Sequence, residues 1–164
     1  MTNYTKAEVV IKMIKKINLK TLFKRILIFF SISYVLALIL SLALVNGMSS
    51  IIYESTAFGL VLEEYKLDFI SNKAEYNSFD FDGIQVEHEE INLSSSQEFK
   101  FKTLFAISLV PLWKESYDNP FIMDGDEWIM TRAYSNEEKD ITYGSNAYPV
   151  MYPFVLHAIK GLFA

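Results

Sequence analysis

The segment His88-Glu89-Glu90-Ile91-Asn92 stands one residue away from the H-E-x-x-H arrangement of zinc-dependent hydrolases. There, two histidines one helical turn apart hold a metal, and the glutamate serves as general base. Here the second histidine is replaced by Asn92, and the residues continue an alternating pattern that suits a strand rather than a helix. Only His157 remains elsewhere as a second imidazole. Glu87, Glu89 and Glu90 form a small acidic cluster that reads as a solvated strand face. Asp124, Asp126 and Glu127 lack the twelve-residue ligand spacing of a calcium loop and suit an Asp-Gly turn with solvated acids. No Gly-x-Ser-x-Gly elbow is present, and none of the six glycines forms a G-x-G phosphate loop. With no cysteine, the chain has no thiolate zinc site, cysteine nucleophile, disulfide framework or lipidated cysteine. No catalytic, cofactor-binding or metal-ligating residue stands out in this sequence, and the expectation is a protein that is not an enzyme.

The chemistry on offer is that of contact. Ten tyrosines, thirteen phenylalanines and two tryptophans make up 15% of the residues. One group lies at Trp113, Tyr117, Phe121 and Trp128, another at Tyr143, Tyr148, Tyr152 and Phe154. Such side chains fill the core of a small domain, or join apolar area to a hydrogen-bonding tip at an interface. The tail from Tyr148 to Phe163 is the candidate interface, through Tyr148, Tyr152, Phe154, Leu156, Ile159 and Phe163. A short helix after Pro153 would carry most of it, since proline is tolerated in a first turn.

Several elements must position these residues. Asp82-Gly83 suits a two-residue hairpin that pairs Phe81 with Ile84 and Phe79 with Val86. Glu98 to Phe105 alternates as a strand and runs into an apolar stretch ending at Pro111. Asp124-Gly125 separates Phe121–Met123 from a second alternating run, Trp128 to Tyr134, which predicts another hairpin. Upstream, Ile51, Phe58, Leu62, Tyr65 and Phe69 recur at helical spacing and predict an amphipathic helix or stalk over 46–77. Its apolar face would pack on the sheet or on a second copy, so a homo-oligomer is one expectation.

Ahead of all this stands a run of 20 uncharged residues, Ile26 to Val45. As a helix it would rise about 30 Å, the thickness of a bilayer's hydrocarbon core. It is longer than the roughly 7–15 apolar residues of a cleaved signal peptide, and Val45-Asn46-Gly47 is a poor cleavage site. Residues 1–25 carry seven Lys or Arg and one Glu, a net of +6, while the rest carries eight basic and nineteen acidic residues, a net of −11. Lys15, Lys16, Lys20, Lys24 and Arg25 thus hold the N-terminus on the cytoplasmic side, where a basic amphipathic segment would lie against anionic lipid. It lacks interleaved aromatics, so no nucleic-acid partner is expected.

The expected fold class is α+β: one N-terminal transmembrane helix followed by a small extracytoplasmic domain. That domain would hold a lead helix, a three- to five-stranded antiparallel sheet and a short C-terminal helix. The boundaries are 1–25 for the cytoplasmic segment, 26–45 for the signal anchor, 46–77 for the stalk and 78–164 for the domain. The expected location is a bacterial inner membrane with the domain in the periplasm, and the expected partners are membrane lipids and other membrane or periplasmic proteins. The function expected is a non-catalytic assembly subunit of a secretion, conjugation or pilus machine. A phage- or mobile-element-encoded membrane effector, such as a holin-like lysis protein or regulator, or an exclusion or immunity factor, is the alternative.

Overall fold

The computed structural model of the chain describes residues 19–119, 121 and 126–163. The basic segment up to residue 18 and the Asp124-Gly125 turn lie outside them. The order is helix α1 (Leu19–Asn46), strands β1 (Met48–Ala57), β2 (Leu60–Asp68), β3 (Lys73–Phe79) and β4 (Gln85–Asn92), helix α2 (Ser95–Ile107), a 3-10 turn at Val110–Leu112, strands β5 (Ser116–Asp118), β6 (Glu127–Tyr134) and β7 (Lys139–Ser145), and helix α3 (Tyr152–Lys160). The chain divides into two compact units, one closing at Ala37 and one running on from Leu38.

The described part of the first unit is the body of α1, whose last turns belong to the second. The helix is long and apolar enough to cross a membrane by length and composition. Ile26, Leu27, Ile28, Phe29 and Phe30 are consecutive and all exposed. At 3.6 residues per turn, apolar side chains therefore point in every direction around its axis. Ser31 lies within this run and returns its hydroxyl proton to the carbonyl of Leu27 at 2.9 Å, which satisfies it without a partner helix.

The second unit is a mixed α+β domain built on one seven-stranded sheet, in the order β4-β3-β2-β1-β6-β7-β5. The sheet is larger than expected, and its strand β5 runs parallel to β7 while all other pairs are antiparallel. One correction accounts for most of the growth. The predicted lead helix over 46–77 is instead the β1–β2 hairpin and the start of β3. Phe58 and Gly59 both take positive φ, 52° and 76°, the backbone of the two-residue turn that matches strand twist. Ile51 and Tyr53 on β1, and Tyr65 and Leu67 on β2, are buried with period two. The stretch is so rich in β-branched and aromatic residues that its large side chains satisfy helical spacing as well as alternation.

The second correction runs the other way. Glu98–Phe105 is not a strand but the body of α2. Ser94 accepts from the Gln97 amide at 3.2 Å, and the Gln97 side chain accepts from the Ser94 amide at 3.0 Å, a reciprocal cap that starts the helix. Phe101 and Phe105, one turn apart, are buried, and Phe99, which made the pattern look alternating, stands exposed.

The β3–β4 hairpin forms as expected, with Gly83 at φ 76°. Its register differs, because Phe79 faces Gln85 rather than Val86. The Asp80 carboxylate accepts from the amides of Asp82 and Ile84 at 2.9 and 2.8 Å, so a wider loop replaces the two-residue turn. The predicted strand from Trp128 forms as β6 and pairs with β1 and β7, while the other arm of its predicted hairpin lies, apart from Phe121, outside the described residues. The C-terminal helix is present, with Pro153 in its first turn.

Helices α2 and α3 share a core with one face of the sheet: Phe101, Phe105, Val155 and Ile159 are buried with Ile51, Tyr53, Leu67, Trp128 and Met130. Within this unit the last turns of α1 contribute Ser41 and Val45 to the interior. The Gly47 carbonyl accepts from the Ser135 amide at 2.9 Å and its hydroxyl at 3.1 Å, which ties the exit of α1 to the β6–β7 turn.

Candidate interaction surface

The sequence-predicted interface residues separate by depth. Tyr152 and Ile159 are buried in the domain's own core, Leu156 and Phe163 are half-buried, and Tyr148 and Phe154 are exposed. Val150, which the sequence reading passed over, is 92% exposed. What surfaces here is one end of an aromatic seam. Tyr148 and Tyr152 lie 4.7 Å apart between ring centres, and Tyr152 lies 4.8 Å from Trp128. From Tyr152 the seam continues inward to Tyr53 at 6.3 Å and from Tyr53 to Tyr65 at 6.1 Å. Tyr65 then meets Tyr76 at 4.8 Å and Phe163 at 5.8 Å.

The sequence builds this seam from strand alternation and one helix. Tyr53 and Tyr65 are cross-strand partners on the covered face, Tyr76 faces Tyr65 on β3, and α3 lays Tyr152 across Tyr53. Trp128 donates its indole proton to the carbonyl of Ala147 at 3.1 Å, which folds the segment after β7 back over the sheet. Gly144 permits this, because a Cβ there would stand 2.1 Å from the Trp128 indole nitrogen. The hydroxyls of Tyr53 and Tyr152 share a buried hydrogen bond of 2.6 Å. Burial pushes Tyr53 up to about 12 and raises Tyr152 as well, so both keep their hydroxyl protons to higher pH than an exposed tyrosine does.

Two adjoining clefts flank the exposed end. One of about 520 Å³ is lined by Val150, Pro153, Leu156 and His157 beside Tyr148 and Tyr152. The other, of about 380 Å³, shares both tyrosines and adds Glu63, Asp126 and Glu127. Lys160 stands between them, bonded to Glu63 at 2.6 Å. The surface is therefore apolar on one side of a tyrosine ledge and acidic on the other.

The remaining predicted residues fall elsewhere. Lys20, Lys24 and Arg25 are exposed on the first turns of α1, while Lys15 and Lys16 lie outside the described residues. His88 is on edge strand β4, where Asn77 Oδ1 accepts from its Nδ1 at 2.8 Å, while Asn77 Nδ2 donates to Glu64 at 3.0 Å. Glu90 pairs with Lys73 at 2.5 Å on the same sheet face as His88, and Glu87 and Glu89 point to the other. The near-motif is thus split across a strand, and among the described residues no three His, Asp or Glu side chains are grouped to hold a metal.

Sequence reasoning also missed Arg132, which is only 2% exposed. Its guanidinium donates to the Val110 carbonyl and to Thr142 Oγ1, the latter at 2.8 Å, and burial lowers its pKa. Those bonds join the 3-10 turn to β7, a tertiary role that the alternation of β6 gave no means of seeing. Comparison with known proteins gives no match: neither a protein-family model nor a curated protein aligns with this chain.

Proposed function

We propose that the chain is a non-catalytic, single-pass subunit of a bacterial envelope complex, held by α1 in the inner membrane and working through contacts of its extracytoplasmic domain. The observation that carries this reading is the apolar circumference of α1. A helix with Ile26 to Phe30 exposed on all sides has no stable place in water, whereas lipid accepts it without further partners. Lys20, Lys24 and Arg25 at its start, against the acidic composition of all that follows, support an N-terminus in the cytoplasm.

Contact rather than chemistry is supported by the surface at Tyr148, Val150 and Phe154. It exposes apolar and aromatic groups on a rigid base, the combination found at protein interfaces. Extraction of native membranes in a mild detergent tests the reading. The chain is expected to migrate in a large hetero-complex. A lone monomer or small oligomer would contradict the assignment, and lysis on induced expression would favour a membrane effector instead.

A further inference from the structure

We infer that the Tyr148–Tyr152 ledge and its two clefts form a docking groove for an extended, proline-containing, basic segment of a partner protein. The inference deepens the reading of the chain as a docking subunit and rests on it. Three features of the groove select this occupant over others.

The first is the ledge. Tyr148 is half-exposed, and beneath it Tyr152 is fixed by Trp128 and by the 2.6 Å bond to Tyr53. Aromatic ridges of this kind receive polyproline II helices. These bring a flat apolar ring every few residues and lose little entropy on binding, because they are extended beforehand. The second is the apolar side, where Val150 and Pro153 are exposed and Leu156 is half-buried. It offers the proline rings an apolar surface to lie against.

The third is charge. Asp126 and Glu127 are exposed at the other side, and neither takes part in an ion pair among the described residues. Glu63 is already neutralised by Lys160. Two uncompensated carboxylates beside an aromatic ledge favour a lysine or arginine next to the prolines, where the cation also lies over a ring. The same acids count against the other occupants. An anionic lipid surface would be repelled. A second copy would bring identical acids into an isologous contact.

The test uses the full chain in detergent micelles and three fluorescent nonapeptides: prolines with two lysines, prolines with two glutamates, and glycines with two lysines. Anisotropy is expected to show the proline–lysine peptide binding at least tenfold more tightly than either of the others, a difference of about 1.4 kcal/mol. Asp126→Lys should weaken it about tenfold, and so should Val150→Lys, whose exposed position leaves folding unchanged. Equal binding of all three peptides, absence of binding up to millimolar concentration, or full binding by the Asp126→Lys variant would overturn the assignment. So would dimerisation of the peptide-free chain that Val150→Lys abolishes, which would give the surface to a second copy. A native hetero-complex without peptide binding would leave the docking-subunit reading standing and remove only this one.

Discussion

Replacing Gly144 by alanine should strike the base of the aromatic ledge without touching its surface. An alanine Cβ would stand 2.1 Å from Trp128 Nε1, 2.4 Å from its Cε2 and 2.6 Å from the Ala147 carbonyl oxygen. Neither neighbour is a flexible tip: one is a buried ring and the other backbone. The indole must move, and its 3.1 Å bond to Ala147 breaks with it. Overpacking of a core site costs about 1–3 kcal/mol. A buried donor and acceptor left unpaired add about 1–3 kcal/mol. The sum, about 2–6 kcal/mol, is a large share of the roughly 5–15 kcal/mol that holds an ordinary domain together. Urea unfolding of the full chain in mild detergent, followed by tryptophan fluorescence, would register a midpoint lower by about 2 M for a slope typical of small domains. Gly47→Ala is the control, because its Cβ would meet only the Leu44 carbonyl at an ordinary 3.6 Å. If the Gly144→Ala midpoint matched that of the control, the packing of Trp128 against β7 described above would be refuted.

Two further predictions concern stability. Burial lifts Tyr53 from 10.0 to about 12, so the folded chain holds this proton more tightly than the unfolded one. The stability it contributes is fully present below about pH 10 and is lost as pH rises toward 12, by about 2–3 kcal/mol. Tyr53→Phe should therefore lose less stability than the wild type between about pH 9 and pH 11.5 in urea titrations, and an identical loss would contradict the assignment. Gly83→Val should lower the melting temperature through an unfavourable positive φ alone, since nothing lies within 4 Å of the added Cβ. The expected cost is about 1–2 kcal/mol, and an unchanged melting temperature would place the turn elsewhere.

The parts of the fold that were legible in the sequence are those where one signal acts alone. Twenty uncharged residues read as α1, the alternation of Trp128, Met130 and Arg132 read as β6, and Pro153 marked the start of α3. The two misread elements carry both periods at once. Between Ile51 and Phe69 the large residues satisfy helical spacing, and only the β-branched content and Gly59 argue for strands. Between Glu98 and Phe105 the phenylalanines alternate, yet Ser94 and Gln97 already spelled a helix cap. The Tyr148–Phe154 surface was visible as an aromatic cluster. Its acidic side was legible only in part: Asp126 and Glu127 are neighbours in the chain, while Glu63 joins them from β2 through the sheet order.

The measurement that bears most directly on the central claim uses the absence of cysteine, which makes single-cysteine labelling clean. Asn3→Cys and Val150→Cys lie on opposite sides of the apolar helix in sequence, and Val150 is fully accessible in the domain. In cells whose outer membrane has been opened, a membrane-impermeant maleimide should label Val150→Cys at once. It should reach Asn3→Cys only after the inner membrane is broken. Labelling of Asn3→Cys from outside, or recovery of the Val150→Cys chain in the soluble fraction without its helix, would contradict an N-in signal anchor and the function built on it.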